Sequence, residues 1–207
     1  MAGRDHVGQR SQLPEPAENA AEMHLPHFVV KQKLTLMINR YEVSESDGSG
    51  NPTRLMALAE QKRMAFKEQV TFYSDAGKSR PVFGFKARKK IDLNAGYDIT
   101  DEGGAQIGFF RKDFGASLLR STFHVEGPGY TGTGRERNQV VGLLRRFTEL
   151  DFIPIHFDFV DAGGNALFSV ERKMAFGDRY RVSVPDERVD FRVAAAVAVG
   201  LDALMSR

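Results

Sequence analysis

The sequence contains no cysteine and no tryptophan, and its net charge is small. Without cysteine the chain forms no disulfides, holds no zinc through thiolates and has no cysteine nucleophile. A net charge of +2 over 207 residues gives no strong overall field that would attract nucleic acid. We therefore expect no nucleic-acid partner. We also expect no metal and no cofactor. Residues 127–133 have the glycine spacing of a phosphate-binding loop but carry Thr133 where that loop needs Lys, and no stretch supplies the ordered oxygen ligands of a calcium loop.

Long hydrophobic runs are also absent. Residues 1–27 lack the apolar segment of a secretory signal, and their Pro, Ala and Glu content predicts a disordered polar tail. The most apolar segment, residues 193–201, is bracketed by Arg192 and Asp202. It is less than half of the roughly 20 residues that a transmembrane helix needs, which argues against a membrane anchor. A partner-binding helix and a core element remain as interpretations.

Most of the remaining chain alternates between apolar and polar residues, which is typical of half-buried strands. Segment 28–43 predicts one strand. Segment 54–74 predicts two, although its start also fits a helix. Further strands are predicted at 118–125, 152–160, 166–173 and 179–184.

Three stretches place Asp and then Gly between alternating runs, a pattern that is typical of β-hairpin turns because Gly accepts positive φ and Asp bonds the turn backbone. These stretches are 73–85, 99–110 and 159–170.

Two segments have helical patterns. Residues 135–150 predict a surface amphipathic helix after a glycine-rich, flexible connector at 127–134. Residues 190–205 predict a second helix that is rich in alanine, apolar on all sides and capped by Asp190. Such a helix requires burial all round, and its length of roughly 24 Å matches the height of a barrel.

These patterns together predict a mainly β (α+β) fold. We expect one domain over residues 28–207, a closed antiparallel β-barrel of about 10–12 strands around the helix at 190–205.

The sequence also resembles a known family in two places. The middle motif is Tyr97, Asp98, Ile99, Thr100, Asp101 and Gly104, and the end motif is Asp178, Tyr180, Val182, Asp190, Arg192, Ala195, Ala196 and Asp202. With segment 28–43, these motifs resemble the LURP-one-related branch of the tubby-like proteins, which is akin to phospholipid scramblases. The resemblance implies a tubby-like barrel. Because the cysteine cluster of scramblases is missing, it implies a binding role and not lipid scrambling.

Basic residues concentrate in two places. Segment 83–93 carries Lys86, Arg88, Lys89 and Lys90, and the predicted helix at 135–150 carries Arg145 and Arg146 among its arginines. Both groups fit contact with anionic phospholipid headgroups. A solvated barrel exterior and a helix that covers a barrel end are the alternatives for the two groups.

We expect a non-enzymatic domain that binds a phospholipid surface, or a small ligand at a barrel mouth, in the cytoplasm at the inner face of the membrane. A protein-interaction module that uses the tail 1–27 or the helix 135–150 is the second hypothesis. A hydrolase is the third, and it requires His124 or His156 to lie beside a carboxylate in a cleft.

Overall fold

The computed structural model describes residues 23–34, 38–62, 69–88, 96–113, 122–137, 155–173 and 179–205. In these residues every strand pairs antiparallel with its neighbours in sequence, and the last strand pairs with the first to close a barrel. The strands are β1 (His27–Leu34), β2 (Ile38–Ser46), β3 (Pro52–Lys62), β4 (Gln69–Tyr73), β5 (Pro81–Ala87), β6 (Tyr97–Asp101), β7 (Gln106–Asp113), β8 (Thr122–Gly127), β9 (Tyr130–Glu136), β10 (Ile155–Val160), β11 (Ala166–Lys173) and β12 (Arg179–Ser183).

One helix, α1 (Phe191–Met205), occupies the interior of this barrel. Asp190 caps its start, because a carboxylate oxygen accepts a hydrogen bond from the Arg192 backbone N–H at 2.8 Å. All side chains from residue 193 to 199 are fully buried, so α1 forms the centre of the core and is surrounded by the strands. The predicted barrel with a central C-terminal helix is therefore confirmed.

Small residues bring α1 close to the wall at β7. A Cβ added at Gly108 would lie 2.9 Å from a methyl group of Val193, and one added at Gly200 would lie 2.5 Å from the Phe110 ring. Each contact places a glycine of one element against a side chain of the other. At the end of the helix, Lys112 Nζ donates a hydrogen bond to the Leu204 carbonyl at 2.8 Å, which satisfies one of the last free carbonyls.

The inward side chains of the strands complete the core with aromatic rings. Phe72 of β4 and Phe83 of β5 stack at 4.2 Å, as do Phe159 and Phe168 on the far side of the barrel. Both inner rings of β5 also contact other elements. Phe83 meets Phe191 of α1 edge-on at 6.2 Å, and Phe85 meets Phe110 of β7 edge-on at 5.6 Å. Alternation along the strands thus buries one face, as the sequence indicates.

Aspartates organise the turns at the end of the barrel where α1 begins. In each of four turns the carboxylate of the first residue accepts backbone N–H groups two or four residues later; the residues are Asp47, Asp75, Asp101 and Asp161. The Asn165 side-chain amide, with backbone donors, lowers the pKa of Asp161. The three predicted Asp–Gly hairpins are confirmed at 75, 101 and 161.

Segment 28–43 is not one strand. It contains parts of β1 and β2, which pair with each other in antiparallel register from Phe28 opposite Glu45 to Leu34 opposite Asn39. In the sequence the alternation continues from one strand into the next, and no Gly, Pro or Asn–Gly signal marks a break between them. The start of segment 54–74, for which a helix was the alternative, lies in strand β3.

The prediction of a flexible connector at 127–134 is wrong. These residues form the tight turn between β8 and β9 and most of β9 itself. The glycines at 132 and 134 face inward and leave room for the Leu167 side chain and the Phe159 ring, so they serve packing and not flexibility. The helix predicted at 135–150 cannot begin at 135, because β9 extends to Glu136. Residues 138–150 lie outside the described part.

The described chain begins at Met23. Its side chain and that of Leu25 pack against the core while partly exposed, and the Val184 backbone N–H bonds the Pro26 carbonyl at 2.9 Å. The last residues of the predicted tail therefore cover the barrel end. The prediction of disorder remains a prediction for residues 1–22, which lie outside the described part.

Candidate functional site

The filled interior restricts where this protein can bind anything. Along α1 the side chains of residues 193–199, and that of Leu201, have no exposed surface. The aromatic rings of the wall occupy the space around them. A ligand therefore meets the outer wall or the barrel ends, and the outward side chains of the strands are the ones to consider.

The predicted basic strand faces outward, but its two described cations have different environments. Lys86 is exposed on β5, and no described residue forms an ion pair with it. Arg88 lies just beyond β5 and donates from Nε to the Asp98 carboxylate at 2.8 Å. Its guanidinium also lies 4.0 Å from the centre of the Phe109 ring. Of the pair, only Lys86 has its charge free for a ligand.

The Arg88 contacts have a structural explanation. Phe109 points outward from β7, yet it is only 5% exposed, because its ring lies over Gly96 and under Arg88. Any side chain at Gly96 would collide with the ring, and this glycine also has a φ of +73°. Asp98 accepts a further hydrogen bond from the Gln106 side chain at 3.0 Å, which holds the carboxylate in place. Arg88 thus covers an apolar outer residue, an arrangement that favours the structural alternative for this position.

The other predicted site residues are Lys89, Lys90, Arg145 and Arg146, and all four lie outside the described residues. Their involvement stays a prediction. The same holds for most of the two segments considered as protein-contact surfaces, the tail 1–27 and the predicted helix 135–150.

A polar groove lies on the outer wall, across β7, β8 and β9. Its volume is about 190 Å³, and the turn after β10 forms one rim. Strand pairing explains its composition, because Arg111 is opposite His124 and His124 is opposite Thr133. One step along the strands, Glu126 is opposite Thr131. The groove therefore has a guanidinium on one side and a carboxylate and two hydroxyl groups on its floor; Val125, Gly132, Asp161 and Ala162 complete its lining.

Arg111 and Glu126 are the unusual pair in this groove. They occupy diagonal positions on β7 and β8, a relationship that separates Cα atoms by about 7–8 Å. Within the described part of the chain, neither side chain forms a hydrogen bond or an ion pair, with each other or with a third residue. Two opposite charges thus line one groove without an ion pair between them.

Both histidines of the third hypothesis lie beside carboxylates. His124, which lines the groove, has its Nε2 3.5 Å from an Asp113 oxygen, and His156 Nε2 is 3.4 Å from Asp158. Arg137 donates two hydrogen bonds of 2.7 Å to the same Asp158 carboxylate. Partial burial would raise the pKa of Asp158, but the bonds from Arg137 and the nearby His156 outweigh it and lower that pKa.

The described residues supply no nucleophile to either of these histidine–carboxylate pairs. Acyl transfer needs a nucleophile within hydrogen-bond reach of the imidazole. Among the described residues, neither histidine has a serine or threonine hydroxyl hydrogen-bonded to its ring; the Nε2 atoms face Asp113 and Asp158 instead. The sequence does not place Asp113 beside His124, because the two meet only through the pairing of β7 with β8. Asp158, in contrast, lies two residues after His156 on the same face of β10, a spacing that the sequence does show.

The described residues contain no helix that is both long and apolar enough to cross a bilayer. They also contain no group of three or more His, Asp or Glu side chains that is arranged to hold a metal ion.

Comparison with known proteins gives a weak structural similarity and a family match. A porin-like protein from Bacteroides uniformis, known from a crystal structure, aligns over 77% of this chain and 96% of its own, but at 8% identity and a TM-score of 0.21. No curated protein sequence matches. The model of the LURP-one-related family, in contrast, matches residues 56–202. That region runs from β3 into α1 and includes the outer groove and Lys86. The chain belongs to the LURP-one-related family.

Proposed function

We propose that this domain is a non-enzymatic binding module that engages anionic phospholipid headgroups at a membrane surface through the outer wall from β5 to β9. The observation that carries the proposal is a set of three outward cations without ionic partners among the described residues. They are Lys86 on β5, Arg111 on β7 and Arg135 on β9. They lie on alternate strands of one side, with Arg111 in the middle.

Another side of the barrel provides the contrast. On β2 and β3 two described cations are matched by carboxylates: Arg40 lies 3.2 Å from Glu42 and 3.4 Å from Glu60, and Arg54 lies 3.2 Å from Glu45. Lys33 on β1 also reaches Glu42 at 3.1 Å. Charges paired in this way have little net field to offer an anionic surface, whereas unpaired ones each contribute about 1 kcal/mol beside such a surface.

The proposal places the protein in the cytoplasm, at the inner face of the membrane, where anionic lipids concentrate. A non-enzymatic role is favoured by the histidine pairs, which lack a bonded nucleophile in the described residues. It is also favoured by the described interior, where the side chains of α1 are buried among the aromatic rings of the strands.

Co-sedimentation with vesicles tests this proposal. Vesicles of phosphatidylcholine with 30% phosphatidylglycerol are compared with pure phosphatidylcholine, at low and physiological salt. The wild type should bind the anionic vesicles and lose affinity as salt rises. Lys86→Gln with Arg135→Gln should weaken binding by roughly 30-fold, because two contributions of about 1 kcal/mol are lost.

The matched control changes the same number of charges where carboxylates already compensate them. Lys33→Gln with Arg54→Gln should lower affinity for anionic vesicles by less than about threefold. Equal losses in the two double variants would contradict the proposal, because they would show that only net charge matters. Absence of binding at low salt would also overturn it.

A further inference from the structure

The outer groove holds charges of both signs that do not neutralise each other. Arg111 stands on β7, and Glu126 and His124 project from β8 beneath it. Arg111 and Glu126 have no hydrogen-bond or ion-pair partner among the described side chains. Opposite charges on diagonal strand positions often pair directly, so the lack of an ion pair between these two described side chains is a feature to explain.

A ligand of one charge does not fit this groove. A simple phosphate would meet Arg111 favourably, but it would lie near the Glu126 carboxylate, which has no cation paired with it among the described residues, unlike Asp161, which lies 3.6 Å from Arg188. A simple cation would be attracted by those carboxylates and repelled by Arg111. Repulsion between like charges lowers affinity. An anion is therefore attracted by Arg111 and repelled by Glu126, and a cation is attracted by Glu126 and repelled by Arg111.

A ligand that carries both charges gains from both sides. We propose that the groove binds a phosphate ester that bears a primary ammonium group, with the phosphate at Arg111 and the ammonium at Glu126. A guanidinium presents a planar set of donors that suits phosphate oxygens. The hydroxyl groups of Thr131 and Thr133 supply further hydrogen-bonding groups on the floor.

The ammonium group sets the selectivity. A primary ammonium donates three N–H bonds and reaches a carboxylate closely, whereas a trimethylated one has no N–H and a larger radius. The groove should therefore prefer phosphoethanolamine chemistry to phosphocholine chemistry. Both a lipid headgroup and a free phosphate ester carry this chemistry. The inference goes beyond membrane attachment through Lys86 and Arg135, and it does not depend on it.

Titration of the ¹⁵N-labelled full chain tests the groove with soluble probes. Glycerophosphoethanolamine should shift the backbone amide signals of Thr131, Gly132 and Thr133. Glycerol 3-phosphate, ethanolamine and glycerophosphocholine should each bind at least about tenfold more weakly, since each lacks one charged contact or its N–H donors. Equal binding of glycerol 3-phosphate, or no shift in the groove with any probe, would overturn the inference.

Two substitutions assign the contacts. Arg111→Gln and Glu126→Gln should each weaken glycerophosphoethanolamine binding about tenfold, because each removes a hydrogen bond to a charged group. Arg80→Gln and Glu187→Gln, at exposed positions outside the groove, should leave it unchanged. Weakening by the control changes to the same extent would reject the assigned contacts.

Vesicles then separate the two sources of the ligand. If the ligand is a lipid, phosphatidylethanolamine in place of phosphatidylcholine should strengthen vesicle binding, and Glu126→Gln should abolish that gain. If the soluble probe binds and the lipid gives no gain, the ligand is a free ester. Lys86→Gln with Arg135→Gln should not alter the soluble titration, so failure of this inference and failure of the membrane proposal are distinguishable.

Discussion

The inward and outward faces of the same strands differ in what constrains their residues. On β7, Gly108 and Phe110 face inward, where the size of each residue is set by contact with α1. Phe109 and Arg111 face outward on the same strand: one is covered by Arg88, and the other has no side-chain partner among the described residues. Residues on the inner face are therefore constrained by packing against α1. Residues on the outer face are of two kinds: those that stabilise the wall and those that are free to bind.

The largest expected effect comes from a charge on the inner face. Ala195→Asp places a carboxylate at a fully buried position of α1 that is surrounded by apolar side chains. Burial of an unpaired carboxylate can raise its pKa by about 3–5 units, which corresponds to about 4–7 kcal/mol, as much as many domains have in total. We expect no folded, soluble protein, as judged by circular dichroism and gel filtration.

Ala76→Asp, at an exposed turn position, is the control and should change the free energy of unfolding by less than about 0.5 kcal/mol. A folded Ala195→Asp variant of wild-type stability would mean that α1 is accessible to solvent.

The next effect tests how tightly the inner face is filled. Gly200→Ala should stabilise a helix by up to about 1 kcal/mol through propensity alone. Here the added methyl group would lie 2.5 Å from the Phe110 ring, which stacks on Tyr97 at 4.9 Å and meets Phe85 at 5.6 Å. Because overpacking costs about 1–3 kcal/mol, we expect a net loss of about 1–2 kcal/mol in urea denaturation. Net stabilisation would show that the ring can move aside.

The smallest effect distinguishes two outward cations. Arg88→Gln removes an ion pair with Asp98 and a cover over Phe109, so it should lower the free energy of unfolding by about 1 kcal/mol. Lys86→Gln, two residues away, should change stability by less than about 0.5 kcal/mol and weaken vesicle binding instead. If both variants lower the free energy of unfolding by the same amount, the outer face does not divide into residues that stabilise the wall and residues that bind.

The sequence predicts the inner face better than the outer one, and the reason is the range of the interactions. Alternation and Asp–Gly turns are local, so the strands around Phe83 and the turn at Asp161 are identified from short segments. The hairpin within 28–43 lacks a local turn signal, and the glycines of β9 resemble a loop because the side chains that they accommodate come from β10 and β11. The glycines of β9 thus depend on residues distant in sequence, whereas β1 and β2 are consecutive strands and only a turn signal between them is missing.

The outer sites depend on such pairing entirely. Arg88 and Lys86 look equivalent in sequence, and only the position of Phe109 across β6 makes one of them structural. The groove combines residues from three strands and a turn, and the lack of a partner for Arg111 can be recognised only when all its neighbours are placed. Local patterns therefore predict that Arg111 and Glu126 face outward but not that they share a groove.

The position of α1 in the chain has a consequence for synthesis. All twelve strands of the described barrel precede the helix around which they close. A ribosome that adds about 5–20 residues per second therefore synthesises every strand before the residues that fill the interior. Until residues 191–205 emerge, the inner aromatic rings have no central partner, and the nascent barrel presents them to other hydrophobic surfaces. The core is thus completed late in the synthesis of this domain, and the inner side chains of the strands are fully buried only then.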